Sequence, residues 1–189
     1  RARLERVGWE RALIYKTLVL TGLRKGELAS ITLGQVCLDE NAPYLQLDAA
    51  DEKNRKGSHI PLRADLAADI REWLSEKLRT KREEALRRRE TVPDRLPGSL
   101  KLFNVPTGLV RILDRDLAVA GIPKRDERGR TIDVHALRHT FGTHLSKAGV
   151  PLRTAQAAMR HSDPRLTANV YTDPKLLDVA GALEQLPEL

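Results

Sequence analysis

The chain has little cysteine, few aromatic residues and no long apolar run. Its single cysteine, Cys37, excludes an internal disulfide and a cysteine metal cluster, and its apolar surroundings indicate a small core residue rather than a nucleophile. Aromatic residues make up only 4% of the chain, which disfavours a base-stacking platform for single-stranded nucleic acid. No segment reaches the roughly eighteen uninterrupted apolar residues that a membrane span needs, so we expect no membrane partner.

What the chain does have is an excess of positive charge. It carries 33 lysines and arginines against 26 acidic residues, a formal net charge of +7. Such a domain tends to bind polyanions, because neutralising phosphates releases counterions, and duplex DNA is the partner that we expect. The N-terminus has neither an initiator methionine nor the apolar segment of a signal peptide. We therefore expect a fragment of a longer, cytoplasmic protein.

The hydrophobic pattern predicts one mainly helical domain with a small antiparallel hairpin. Apolar and polar residues alternate over residues 44–48, and residues 58–62 form a matching strand, with a polar turn at 51–57 between them. Apolar residues at helical spacing, with glycine and proline breaks, mark the helices. These are predicted over residues 9–21, 24–30, 65–90, 109–120, 135–148, 152–159, 165–171 and 175–186.

Three separated clusters hold candidate catalytic residues. The first is Thr21-Gly22-Leu23-Arg24-Lys25-Gly26-Glu27-Leu28, and the second is the stretch from His135 to Leu145. The third is His161-Ser162-Asp163-Pro164, followed by Tyr171. Each cluster alone would most often be structural: a helix-end charge, a surface pair or a core tyrosine. Their order around a hairpin with a lysine in its turn favours a joint catalytic site.

This combination resembles the catalytic domain of the tyrosine recombinases, the phage-integrase-type site-specific recombinases. The resemblance runs from Trp9 to Leu186 and is densest from His135 to Tyr171. It implies a mainly α fold with a small antiparallel β-sheet (α+β), in a single C-terminal catalytic domain over residues 1–189. It also implies that the family's N-terminal DNA-clamping domain, the core-binding domain, is absent from this fragment.

The activity implied by the resemblance is site-specific DNA recombination, by integration or excision. One DNA strand is cleaved and rejoined through a covalent 3′-phosphotyrosine intermediate. The implied substrate is double-stranded DNA, and the implied active assembly is a homo-oligomer, a tetramer on two DNA sites.

The resemblance also assigns roles to residues in the first half of the chain. Arg24 matches the family's first arginine, and Glu27 matches the acidic residue that orients this arginine. Lys53 matches the catalytic lysine of the hairpin turn. We prefer it to Lys56 because the family's lysine usually lies eight residues before the proline of the next strand, which here is Pro61.

In the second half, His135 and Arg138 match the family's His-x-x-Arg pair. His161 matches the later position that holds histidine or tryptophan, and Tyr171 matches the nucleophile. Arg160 is a departure, since the family usually has glycine before the His-Ser-Asp triplet. It adds a cation close to the site.

Three basic residues are candidates for contact with DNA. Arg55 and Lys56 lie in the basic hairpin turn, and Arg160 lies beside the third cluster. We expect their charges to meet backbone phosphates rather than to read bases.

Elementary chemistry supports these assignments. A free tyrosine has a pKa near 10, so about one part in a thousand is phenolate at neutral pH. A neighbouring histidine, His135 or His161, can take its proton or stabilise its anion. The planar forks of Arg24 and Arg138 match phosphate oxygens, and a lysine can protonate the leaving oxygen.

The product of this reaction is again a phosphodiester, so no nucleotide fuel is needed. The sequence has no Gly-x-x-x-x-Gly-Lys-Ser/Thr loop for binding a nucleotide. We therefore expect no cofactor, neither ATP nor a metal.

Three alternatives deserve weighing. His135 and His139 have the spacing of a helical metal pair, but the metalloprotease pattern needs Glu where this chain has Ala136. A type IB topoisomerase uses similar chemistry, and the position of His161 and the small size favour the recombinase. A non-catalytic module that binds duplex DNA would fit the charge, but the complete set of candidate residues disfavours a decayed site.

Overall fold

Helices dominate the chain, and a small antiparallel sheet accompanies them, which confirms the predicted fold class. The computed structural model describes residues 2–39, 41–127, 129–170, 179–184 and 187. None of the helices among them is long and apolar enough to cross a membrane. In chain order the elements are α1 (Ala2–Thr21), α2 (Lys25–Ser30), β1 (Val36–Cys37), β2 (Tyr44–Leu47), β3 (Ser58–Pro61), α3 (Ala64–Arg88), α4 (Leu109–Val119), α5 (Ala136–Lys147), α6 (Leu152–Met159), α7 (Pro164–Val170) and α8 (Val179–Leu183).

The sheet has the strand order β1-β2-β3, and both pairs are antiparallel. Leu45 pairs with Ile60, and both side chains are buried, whereas the neighbouring pair of Gln46 and His59 is exposed. This alternation is what the sequence predicted for the hairpin. Strand β1 was not predicted, because two residues are too few to show a period. Cys37 lies on this edge strand and is partly exposed, so the expectation of a core cysteine is wrong.

Helix α1 forms the centre of the hydrophobic core and contacts both α3 and α5. Leu13, Ile14 and Leu18 on its inner face are at most 3% exposed. Burying a side chain of this size contributes about 1.5–3 kcal/mol. On its outer side, the Nζ of Lys16 lies 2.6 Å from a carboxylate oxygen of Asp69 on α3. The C-terminal end of α1, where the first motif begins, is therefore held firmly.

Gly22 turns the chain sharply after α1. Its φ is +60°, in the left-handed region that favours glycine, and its N–H donates to the carbonyl of Leu18 at 3.0 Å. A β-carbon at this position would lie 2.4 Å from Cδ1 of Phe141 on α5. The positive φ and the close approach of Phe141 therefore require glycine at this turn.

Candidate active site

Arg24 is fixed by the carboxylate of Glu27 at the start of α2. The backbone N–H of Arg24 donates to Oε2 of Glu27 at 2.9 Å, and its Nη1 donates to Oε1 at 2.5 Å. Burial alone would raise the pKa of Glu27, but these bonds and the charge of Arg160 hold it below its usual value. Glu27 is therefore ionised at neutral pH and orients a guanidinium that remains partly exposed.

Arg138 is the most deeply buried of the candidate cations. It lies on α5 with 1% of its surface exposed. Its Nη1 donates to the carbonyl of Gly22, and its Nη2 donates to the carbonyl of Met159 at the end of α6. Buried charge is tolerated where hydrogen bonds satisfy it, so these two carbonyls place the guanidinium between the first and third motifs.

Arg24, His135 and Arg138, three of the predicted site residues, line one cleft. Its volume is about 210 Å³. His135 is exposed at the start of α5, and its ring meets that of His139 edge to face, with centroids 5.1 Å apart. The cleft thus joins two guanidiniums and an imidazole.

His161 follows α6 and is only 8% exposed. Its Nδ1 lies 2.9 Å from the hydroxyl oxygen of Thr167 on α7. Burial, and after it the charges of Arg138, Arg24 and other neighbouring cations, lowers the pKa of His161 from 6.5 to about 4. The ring is therefore neutral at pH 7, with one donor and one acceptor nitrogen. A free imidazole, by contrast, titrates near neutrality.

The hairpin turn between β2 and β3 presents its basic residues to solvent. Lys53, Arg55 and Lys56 are exposed, and Arg55 has a φ of +51°. Lys56 borders a second cleft of about 350 Å³, which is also lined by His161. In the part of the chain that the structure describes, Lys53 lines neither of these two clefts.

The side chain of Arg160 is buried in the site, as that of His161 is. The Arg160 side chain is 8% exposed, and its Nη2 donates to Oε2 of Glu27 at 3.1 Å. Its Nε lies 3.6 Å from Oε1 of Glu52, a buried residue that no motif in the sequence indicates. This position favours a role inside the site, and contact of Arg160 with DNA stays a prediction. The sequence signal for the role of Arg160 inside the site was that an arginine stands where the family usually has glycine.

The predicted nucleophile Tyr171 lies outside the described residues. Helix α7 ends at Val170. A helix was predicted over residues 175–186, and the described part of this segment contains α8, Val179–Leu183. Across the described ranges, no group of three or more histidine, cysteine or acidic side chains could hold a metal ion.

Comparison with known proteins places these residues in context. Residues 5–176 match the phage integrase family. A tyrosine recombinase XerD from Xanthomonas campestris is 31% identical over 86% of this chain and 47% of its own length. A XerC-like tyrosine recombinase from Caldanaerobacter subterraneus is 29% identical over 89% of this chain and 47% of its own. The chain thus spans about half the length of these relatives.

Solved structures share the fold. The XerH site-specific recombinase, in a post-cleavage complex with its palindromic difH substrate, superposes with a TM-score of 0.65 at 21% identity. That match covers 96% of this chain and 47% of XerH. The XerA recombinase gives a TM-score of 0.64 at 22% identity, over 95% of this chain and 58% of XerA. With residues 5–176 matched and the fold shared, the chain belongs to the phage integrase family.

Proposed function

We propose that this chain is the catalytic part of a site-specific recombinase that cuts and rejoins duplex DNA through Tyr171. The observation that carries the proposal is the cleft shared by Arg24, His135 and Arg138. Two guanidiniums and an imidazole at one cleft match the charge and the donor pattern of a phosphodiester group. The relatives named as tyrosine recombinases support the same activity.

In the proposed reaction the phenolic oxygen of Tyr171 attacks the scissile phosphorus. A bond forms between phosphorus and this oxygen while the bond to the 5′ oxygen breaks, which leaves a 3′-phosphotyrosine and a free 5′-hydroxyl. Arg24 and Arg138 stabilise the charge that develops on the phosphoryl oxygens. Attack by a 5′-hydroxyl reverses the step and rejoins the strand, so the energy of the bond is conserved.

Proton transfers complete the mechanism. His135, which is exposed at the cleft, accepts the phenolic proton, and neutral His161 donates a hydrogen bond to a phosphoryl oxygen. A bound phosphate carries negative charge, which raises the pKa of His161 toward neutrality. Lys53 donates a proton to the departing 5′ oxygen, which is otherwise a poor leaving group.

The active assembly extends beyond this chain. We propose that a longer, cytoplasmic protein adds an N-terminal clamping domain, and that four subunits act on two DNA sites. The chain itself, with a net charge of +7, then binds duplex DNA weakly and with a steep dependence on salt.

The test is to trap the covalent intermediate. A nicked duplex that loses a short fragment on cleavage prevents religation, so the DNA stays attached to the protein. We expect peptide mass spectrometry to find the adduct on Tyr171, and Tyr171→Phe to bind duplex DNA without forming it. A mobility shift without any adduct would indicate a DNA-binding module, and an adduct on another residue would reject Tyr171.

A further inference from the structure

The side chain of Arg160 connects two buried carboxylates from different parts of the chain. Glu27 belongs to α2, beside Arg24, and Glu52 belongs to the β2–β3 hairpin, beside Lys53. The side chain of Glu27 is 3% exposed and that of Glu52 is 2% exposed. The backbone of Arg160 joins in, since Asn54 donates from Nδ2 to its carbonyl at 2.8 Å. Arg160 therefore fastens the hairpin to the motif that holds Arg24.

The hairpin depends on this connection more than α2 does. Without Arg160, Glu27 would keep its two hydrogen bonds from Arg24. Glu52 would keep only the hydroxyl of Ser58, which donates to Oε1 at 2.7 Å. The other oxygen of Glu52, Oε2, is buried and has no hydrogen-bond partner in the described part of the chain. A buried carboxylate without a nearby cation is strongly unfavourable, so losing the side chain of Arg160 would loosen the hairpin at Glu52 first, although the bond from Asn54 to the backbone carbonyl of residue 160 remains.

The backbone of Arg160 would suit a glycine better than an arginine. Its φ is +53°, in the left-handed conformation at the end of α6, where a β-carbon is disfavoured. The arginine is thus present despite an unfavourable backbone conformation, which argues for a role of its side chain.

We propose that Arg160 is a positioning residue, which holds the β2–β3 hairpin, and with it Lys53, next to the motif that carries Arg24, so that the lysine can reach DNA bound at the arginine cleft. The proposal rests on the proposed function, because it assigns proton donation to Lys53. Without Arg160, the hairpin no longer holds the lysine near the 5′ oxygen, while Arg24 and Arg138 still bind the phosphate. The loss therefore falls on protonation of the leaving group.

A substrate with sulfur at the bridging 5′ position separates these effects. Its leaving thiolate, with a thiol pKa near 8.5, needs no acid. We expect Arg160→Gly to slow single-turnover cleavage of normal DNA about ten- to a hundredfold, as a misplaced group does. On the sulfur substrate, the cleavage rate of Arg160→Gly should return close to that of the wild-type chain. Equal slowing on both substrates, or no slowing on either, would overturn the proposal.

Arg89→Gly is the matched control. Arg89 is also an arginine in the left-handed conformation at a helix end, with φ +56° after α3, but its side chain is exposed. The substitution removes the same charge and relaxes the same backbone conformation. We expect its cleavage rates to stay within about twofold of the unchanged chain, as for ordinary surface substitutions.

Lys53→Ala in the same assay separates this proposal from the proposed function. If Lys53→Ala recovers on the sulfur substrate and Arg160→Gly does not, the role of Arg160 is rejected while the acid stands. If Arg160→Gly recovers and Lys53→Ala does not, the hairpin is positioned by Arg160 but another group is the acid.

Amide hydrogen exchange of the DNA-free chain tests the connection without catalysis. We expect Arg160→Gly to accelerate exchange of residues 48–58 about tenfold or more, and to leave α1 unchanged. Arg160→Asn, which also tolerates the left-handed conformation, should do the same. Unchanged rates in the hairpin would overturn the proposal, and so would equal acceleration in α1, which would mean general destabilisation.

Discussion

The ring of Phe141 lies against the α-carbon of Gly22, so closely that a β-carbon there would come within 2.4 Å of Cδ1. The carbonyl of the same glycine accepts hydrogen bonds from Arg138 and Arg160. The contact between α5 and the turn after α1 therefore sets the position of two guanidiniums. Gly22 therefore both packs against Phe141 and accepts the hydrogen bonds that orient two arginines.

Gly22→Ala should lower the free energy of unfolding by about 2–5 kcal/mol. The left-handed conformation contributes about 1–2 kcal/mol, and overpacking against Phe141 contributes about 1–3 kcal/mol. Gly121→Ala is the matched control, since Gly121 has a φ of +68° but nothing within 4 Å of its would-be β-carbon. Gly121→Ala should lose only the part of the unfolding free energy that comes from the left-handed conformation. Urea denaturation measures both losses, and equal losses would contradict the role of Phe141.

Arg24→Lys and Arg138→Lys should both impair cleavage although the charge is retained. A lysine is a point charge and cannot bind two phosphoryl oxygens as a planar fork does. By analogy with a lost oxyanion donor, each change should slow single-turnover cleavage about a hundred- to a thousandfold.

The control for both changes is Arg79→Lys, at an exposed ion pair on α3, which should cleave normally. Near-normal rates in either active-site variant would reject the phosphate-binding role of that residue.

The stability of the chain should fall as the pH drops from about 6.5 to about 4. The pKa of His161 is lowered to about 4 in the folded chain, mainly by burial, whereas the unfolded chain keeps the usual 6.5. Between these values the unfolded state binds more protons, so acid favours unfolding. The contribution of His161 is complete above pH 6.5 and is lost by pH 4.

The test of this pH dependence compares urea denaturation of the chain and of His161→Asn across the same range. The variant should lack that part of the decline, up to about 3 kcal/mol. Parallel curves for the two proteins would contradict the lowered pKa.

Cleavage should proceed in EDTA and without nucleotide. The proposed mechanism assigns charge stabilisation to arginines, and the phosphotyrosine bond conserves the energy of the cleaved one. Single-turnover cleavage of the nicked duplex, with and without EDTA, is the measurement. A strict requirement for a divalent cation would revive the metal-dependent alternative.

Several elements of the fold were predictable because their side chains are sorted by burial. Helix α6 occupies the predicted residues 152–159, and both strands of the hairpin are found. Helix α1 begins at Ala2, earlier than the predicted start at Trp9, because its first turns are mostly exposed and show no apolar period; Leu4 is 76% exposed.

The site was predictable to the extent that motifs reveal it. The resemblance of the motifs to the family indicated Arg24, His135 and Arg138, and the structure brings them to one cleft. The carbonyl partners of Arg138 could not be predicted, because any residue supplies a carbonyl. The pair of Glu52 and Arg160 was equally hidden, since an ion pair between common residues far apart in sequence leaves no local pattern.

The burial of Arg138 has an evolutionary consequence. An arginine with 1% exposure burdens folding, since an apolar side chain of similar volume often stabilises such a position. Selection for heat resistance alone would therefore replace it with methionine or leucine. Under the proposed function, copies of this chain that lose the reaction on DNA should lose Arg138 before they lose the leucines of α1. Its presence would then distinguish active copies from inactive ones that still fold.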